Sequence, residues 1–132
     1  MSLIVVNSKF INNSGVYGGA IYSKGDIGMV IDMAIIDSEF INNSGVYGGA
    51  IYLDTNVNSI IKGSKFLNNS ASEFGGSISL SRCSLDLNDS EFENSCSELG
   101  AGGAIYLIRS NGNLNNITFN NCSSEFGGSL YS

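Results

Sequence analysis

FINNSGVYGGAIY spans Phe10–Tyr22 and recurs without a single change at Phe40–Tyr52. Looser copies follow it. Aligned on the phenylalanine, the copies centre on Phe10, Phe40, Phe66, Phe92 and Phe119, with spacings of 30, 26, 26 and 27 residues. Aligned on the glycine pair, they give Gly18-Gly19, Gly48-Gly49, Gly75-Gly76, Gly102-Gly103 and Gly127-Gly128. A unit repeated at this period is the signature of a solenoid, in which each repeat buries its apolar face against its neighbours.

Each unit resolves into short stretches of alternating character. One carries Ser-Lys-Phe or Ser-Glu-Phe. The next is Gly-Gly-Ala-Ile-Tyr or a variant. The last has apolar residues two apart: Leu3 and Val5, Met33 and Ile35, Leu85 and Leu87. Period 2 over so few residues predicts strands, and no unit holds a long run of helical period. Three strands in about 26 residues close one triangular coil, and stacked coils pair in parallel at about 4.8 Å per coil. The fold expected is all-β: a single-stranded parallel β-helix, or β-solenoid, with about five coils of three short strands and roughly 24 Å tall. It forms one domain over residues 1–132.

Stacking the coils makes equivalent residues line up. Phe10, Phe40, Phe66, Phe92 and Phe119 are expected to form one inward aromatic ladder. Ile21, Ile51, Ile78, Ile105 and Leu130 form an aliphatic one, extended by Leu53, Leu80 and Leu107. Val5, Ile35, Ile61, Leu87 and Leu114 line the remaining wall. Three residues before each phenylalanine lie Asn7, Asp37, Gly63, Asp89 and Asn116, types that tolerate left-handed backbone, so a one-residue corner is predicted there. The glycine pairs mark another corner. Two residues after each phenylalanine stands an asparagine: Asn12, Asn42, Asn68, Asn94 and Asn121. Strict alternation turns it inward, where stacked amides would hydrogen-bond along the axis. On that reading Asn68→Asp is the damaging substitution and Asn69→Asp the neutral one. Six Asn-x-Ser/Thr sequons occur, at Asn12, Asn42, Asn68, Asn88, Asn116 and Asn121. With Asn12, Asn42, Asn68 and Asn121 expected inside, those four read as by-products of an Asn/Ser-rich turn.

On the outer face, Lys9, Glu39, Lys65, Glu91 and Thr118 precede the phenylalanines, so charge alternates from coil to coil and penalises a one-coil slip. Tyr22, Tyr52, Tyr106 and Tyr131 form an outward column broken only by Ser79, and are the candidate surface contact. Beside the first corner, Ile11, Ile41 and Leu67 also face out, giving way to Glu93 and Asn120. The insertion around Lys24 to Met29 reads as a loop.

Composition removes several functions. The chain is 132 residues long with a net charge of −6 and no His, Pro or Trp. An acidic chain lacks the basic face that nucleic acid demands. Without His, the commonest general base and metal ligand is missing. No zinc-type cysteine spacing, calcium-type glycine-aspartate repeat or threonine array is present, so no metal and no cofactor is expected. No apolar run is long enough to insert directly into a membrane, and the N-terminal stretch lacks the basic start of a secretory signal. Cys83, Cys96 and Cys122 are odd in number. Cys96 and Cys122 are one residue out of register in adjacent repeats, which permits a bridge without implying one. Asp86, Asp89 and Glu91 cluster in sequence, but Asp89 suits a corner and Glu91 the charge ladder.

Phe-x-x-Asn paired with Gly-Gly-Ala-Ile at this period resembles the chlamydial polymorphic outer membrane proteins and similar microbial adhesin-like proteins. Phe10-Ile-Asn-Asn13, Phe40-Ile-Asn-Asn43 and Phe66-Leu-Asn-Asn69 carry the first motif; Ser95 and Cys122 replace its last asparagine in the later repeats. Gly18-Gly-Ala-Ile21, Gly48-Gly-Ala-Ile51 and Gly103-Ala-Ile105 carry the second, with Gly75-Gly-Ser-Ile78 and Gly127-Gly-Ser-Leu130 looser. The resemblance implies a right-handed β-helix, an extracellular or cell-surface location, adhesion and no enzymatic activity.

The chain starts in the apolar-pair strand and ends just after the glycine-alanine-isoleucine strand, with no capping element, so the coil ends are expected to be bare. Three functions follow. The first is a non-enzymatic surface segment of adhesin type, with a protein or cell-surface ligand as partner. The second is a structural unit whose partners are further copies or adjoining coils, stacked end to end as a filament or coat. The third, an acid/base enzyme acting on carbohydrate, lacks the long loops that wall such a groove.

Overall fold

Alternating apolar residues over such short stretches form strands, and the repeat sets their partners: each strand pairs in parallel with its equivalent one coil away. The computed structural model describes all of residues 1–132 and is all-β, without helix. Three sheets wrap one core in a solenoid of about five turns.

The sheets group the strands differently from the sequence expectation. The first sheet holds the apolar-pair strands Ser2–Val6, Ile31–Ile36 and Val57–Lys62 together with the phenylalanine strands Lys9–Ile11, Glu39–Ile41 and Lys65–Leu67. Ser84–Glu93 and Asn111–Asn120 each run through both halves. The second sheet, Ser14–Tyr17, Ser44–Tyr47, Ser70–Phe74 and Cys96–Ser97, comes from a stretch whose serines and glycine read as a turn. The third holds Ile21–Lys24, Ile51–Asp54, Ile78–Ser81, Ile105–Ile108 and Leu130–Tyr131.

Left-handed residues make the corners. Asn7, Asp37, Gly63, Asp89 and Asn116 take φ of 49–63° where the first sheet bends. At the next corner Gly18, Gly48, Gly75, Gly102 and Gly127 have φ of 62–69°. The second glycine of the first four pairs, Gly19, Gly49, Gly76 and Gly103, is required by crowding. A Cβ on Gly76 would lie 1.9 Å from the Gly103 carbonyl oxygen, so coils stack here backbone on backbone.

Inside, Phe10, Phe40, Phe66, Phe92 and Phe119 stack nearly face to face, with centroids 4.8, 4.9, 4.6 and 5.3 Å apart in order. The aliphatic columns run in register beside them. A serine ladder lies two residues before the phenylalanines. The backbone N–H groups of Ser8, Ser38 and Ser64 donate to the hydroxyls of Ser38, Ser64 and Ser90, each at 3.2 Å.

The asparagine column is not where alternation put it. Asn12, Asn42, Asn68, Asn94 and Asn121 are exposed and left-handed, with φ of 53–59°. They form a corner. That turn resets the alternation, so the following residue points in: Asn43 and Asn69 are fully buried. The Asn43 side-chain oxygen accepts from the Asn13 backbone and amide at 3.0 and 3.1 Å, and Asn69 repeats this with Asn43. Each buried amide also donates to the phenylalanine carbonyl of the coil above, Asn43 to Phe10 and Asn69 to Phe40, both at 2.9 Å. Ser95 and Cys122 continue the column. The sequons at Asn12, Asn42, Asn68 and Asn121 are therefore on the surface, and burial does not explain them. Exposed Asn94 donates to Asn68 at 3.0 Å, so a partial outer ladder exists.

The cysteines are free thiols. Cys122 packs against the core, whereas Cys96 lies between buried Ser95 and Ser97 and faces the other way. Opposite orientation prevents the bridge that sequence spacing permits.

Candidate functional surface

The glycine corner brings the second and third sheets together, and aromatic side chains cover it from outside. Tyr22, Tyr52, Ser79, Tyr106 and Tyr131 stand in register on the third sheet. Across the corner, the second-sheet column reads Tyr17, Tyr47, Phe74, Ala101 and Phe126. The two columns complement each other. Where the third sheet has Ser79, the second has Phe74; where the second has Ala101, the third has Tyr106.

Rings make contact along this ridge from Tyr17 to Tyr131, Phe126 standing apart from the stack. Tyr17 lies 5.4 Å from Tyr22, 5.6 Å from Tyr47 and 5.4 Å from Tyr52. Tyr47 reaches Phe74 at 5.9 Å, Phe74 crosses to Tyr106 at 4.6 Å, and Tyr106 stacks on Tyr131 at 5.4 Å. The apparent gap at Ser79 is thus bridged by Phe74. Sequence reading found Tyr22, Tyr52, Tyr106 and Tyr131 but missed Tyr17, Tyr47, Phe74 and Phe126. Their signal was present: an aromatic stands directly before the glycine pair in four repeats, at Tyr17, Tyr47, Phe74 and Phe126.

The ridge is exposed toward its ends and partly buried at its centre, where Tyr47, Tyr52, Phe74 and Tyr106 are covered on one side. Tyr17 and Tyr22 are each 47% exposed and Phe126 56%. Burial, with the carboxylate of Asp54 nearby, pushes the Tyr52 hydroxyl up to about 12. The Glu73 carboxylate beside the Tyr47 hydroxyl raises that group too, and burial raises Tyr106. The Tyr47, Tyr52 and Tyr106 hydroxyls therefore hold their protons more tightly than a free phenol does.

Beyond the tyrosines, the third sheet turns into the first through a further corner. Lys24 and Asp54 pair at 3.4 Å, and Arg82 reaches the same carboxylate at 4.0 Å. The Thr55 hydroxyl donates to Asp54 at 2.9 Å. The insertion after Lys24 is a tight turn in which Asp26 and Met29 pair antiparallel and Ile27 is exposed.

A concave feature, a trough of about 560 Å³, lies along the outer face of the first sheet. Ser2, Asp32 and Asn58 stand on one wall and Ile4, Ala34 and Ile60 on the other. Asn58 donates to Asp32 at 3.2 Å and Ser84 to Asn58 at 3.0 Å, so the polar wall satisfies itself. Asp86 lines this trough and accepts from Asn88 at 3.1 Å. Asp89 is a corner residue held by Asn116 at 2.8 Å, and Glu91 lies in the charge ladder. In that ladder Lys9 and Glu39 pair at 3.4 Å, while Lys65 sits in register between Glu39 and Glu91. No group of three carboxylates or thiols is placed to hold a metal ion, and no helix is long and apolar enough to cross a membrane.

The architecture defines a parallel β-solenoid that presents aromatic rows to solvent. Residues 7–24 and 37–54 match the family model of the Chlamydia polymorphic membrane protein repeat. Each matched segment runs from the left-handed corner through the phenylalanine strand and glycine pair to the third sheet. No curated protein and no solved structure gives a significant match to the chain.

Proposed function

We propose that this chain is a non-enzymatic, surface-exposed segment of adhesin type, which binds a cell-surface partner through the aromatic ridge over its glycine corner. One observation carries the reading. Coils three and four each lose one aromatic of the pair, at Ser79 and Ala101, yet the ridge stays continuous because the other column supplies a ring. Interior packing does not require this; a row of large, partly exposed rings suits docking. The match to a polymorphic membrane protein repeat supports a surface setting.

Coating beads with the purified chain and counting their attachment to epithelial cells tests this. A Tyr22→Ser, Tyr52→Ser, Tyr106→Ser variant should lose most attachment while keeping its β-sheet circular dichroism. Attachment equal to the parent's would sink the reading.

Assembly end to end is the second reading. The aromatic stack reaches the outermost coils in register, at Phe10 and Phe119, and strands Ser2–Val6 and Leu130–Tyr131 each have one neighbour only. Negative-stain microscopy over a concentration series would show thin unbranched filaments on this reading and single particles on the first.

A further inference from the structure

The chain contains two arginines, and they occupy one place. Arg82 and Arg109 hold the same corner position in adjacent coils, where the Arg82 N–H donates to the Ile108 carbonyl at 3.1 Å. Both are left-handed, with φ of 56° and 48°. Long-chain L-residues seldom adopt that region, and the other corners of this solenoid give it almost entirely to Asn, Asp and Gly. The arrangement also stacks like charge on like charge one coil apart, which disfavours the pairing. Only Arg82 is offset, weakly, by Asp54 at 4.0 Å, which Lys24 already holds at 3.4 Å; Arg109 has no carboxylate partner. Backbone strain and charge repulsion placed together, with a simpler residue available, point to a bound group outside the protein.

We infer that this corner, with the tyrosine column beside it, binds a sulfated linear polysaccharide lying along the solenoid axis. The inference rests on the adhesin reading and names its partner class. Lys24, Arg82 and Arg109 gather three of the six basic residues of a chain of net charge −6 onto one edge. Guanidinium groups present a planar fork that matches oxyanions such as sulfate. The ridge selects sugar over nucleic acid. Its rings already stack on one another, Tyr22 on Tyr52 at 21° and Tyr106 on Tyr131 at 11° between planes. Their faces are taken, so bases have no free platform, whereas the phenolic edges can hydrogen-bond sugar hydroxyls.

Immobilised heparin is the probe. The parent chain should be retained at low salt despite its net charge and be released by added salt. The double variant Arg82→Asn, Arg109→Asn keeps a residue at home in left-handed backbone, and should melt no lower than the parent. It should bind about a hundredfold more weakly, roughly tenfold for each charged hydrogen-bonding group lost. Lys9→Asn with Lys65→Asn removes the same net charge elsewhere and should bind as the parent does. Absence of retention, equal loss in both double variants, or equal affinity for single-stranded DNA would overturn the inference. Tyrosine-dependent attachment to cells would survive any of these results, so the adhesin reading falls or stands by its own test.

Discussion

Along the inside of the solenoid one phenylalanine serves every coil, from Phe10 to Phe119, whereas along the outside the aromatic place passes between two columns. The difference follows from what each side has to fill. The core is a narrow tube of constant section, so each coil must supply the same volume at the same height. The outer corner needs only a cover, and a ring from either sheet provides it. Constancy of side chain therefore marks the interior, and constancy of coverage marks the ridge.

The inner stack should break first. Phe66→Ala leaves a cavity between two fully buried rings, and should cost about 3–5 kcal/mol in urea unfolding. A cost near that of a surface change would remove the stack from the account. Gly76→Ala comes next, because its methyl group meets the Gly103 carbonyl of the neighbouring coil. The coils must separate there, at about 1–3 kcal/mol by the same measurement. On the outside, Phe74→Ala should cost only about 1–2 kcal/mol, since its ring is stacked on Tyr47 and Tyr106 but only partly buried. A loss equal to that of Phe66→Ala would mean the ridge is core.

The smallest effect is alkaline. The Tyr52 hydroxyl has its pKa raised to about 12, above the ordinary value of 10, so the folded chain holds that proton more tightly than the unfolded one. Its contribution is complete below the unfolded value and is lost as pH rises through the folded one. Melting temperature should therefore fall between about pH 10 and 12, and less steeply in Tyr52→Phe. Identical slopes would place Tyr52 in free solvent.

Much of this was legible from residues alone. Repeat period, parallel stacking, the phenylalanine and aliphatic columns and the corners at Asn7, Asp37, Gly63, Asp89 and Asn116 all follow from alternation and residue type. Alternation failed at Asn12, Asn42 and Asn68 because a left-handed residue interrupts the count it depends on. Two adjacent asparagines look alike, and only the turn decides which one goes inside. The strand Ser14–Tyr17 was missed because serine and glycine signal turns, and with it went Tyr17, Tyr47 and Phe74. Half of the ridge thus lay on an unread strand, and the left-handed arginines were invisible because arginine carries no corner signal.

Asn68 and Asn69 offer the most direct test of the whole arrangement, because a one-residue slip would exchange every inward and outward side chain. Thermal unfolding of Asn68→Asp and Asn69→Asp should be compared side by side. Asn69 is fully buried and its amide donates to the Phe40 carbonyl at 2.9 Å. A carboxylate there loses that donor and places a charge against the carbonyl, at a cost of at least about 3 kcal/mol. Asn68 is an exposed corner residue whose oxygen accepts from Asn94, a bond that aspartate keeps. Asn69→Asp should melt far below the parent and Asn68→Asp close to it; equal shifts, or the reverse order, would contradict the inside-outside assignment on which both the core and the ridge depend.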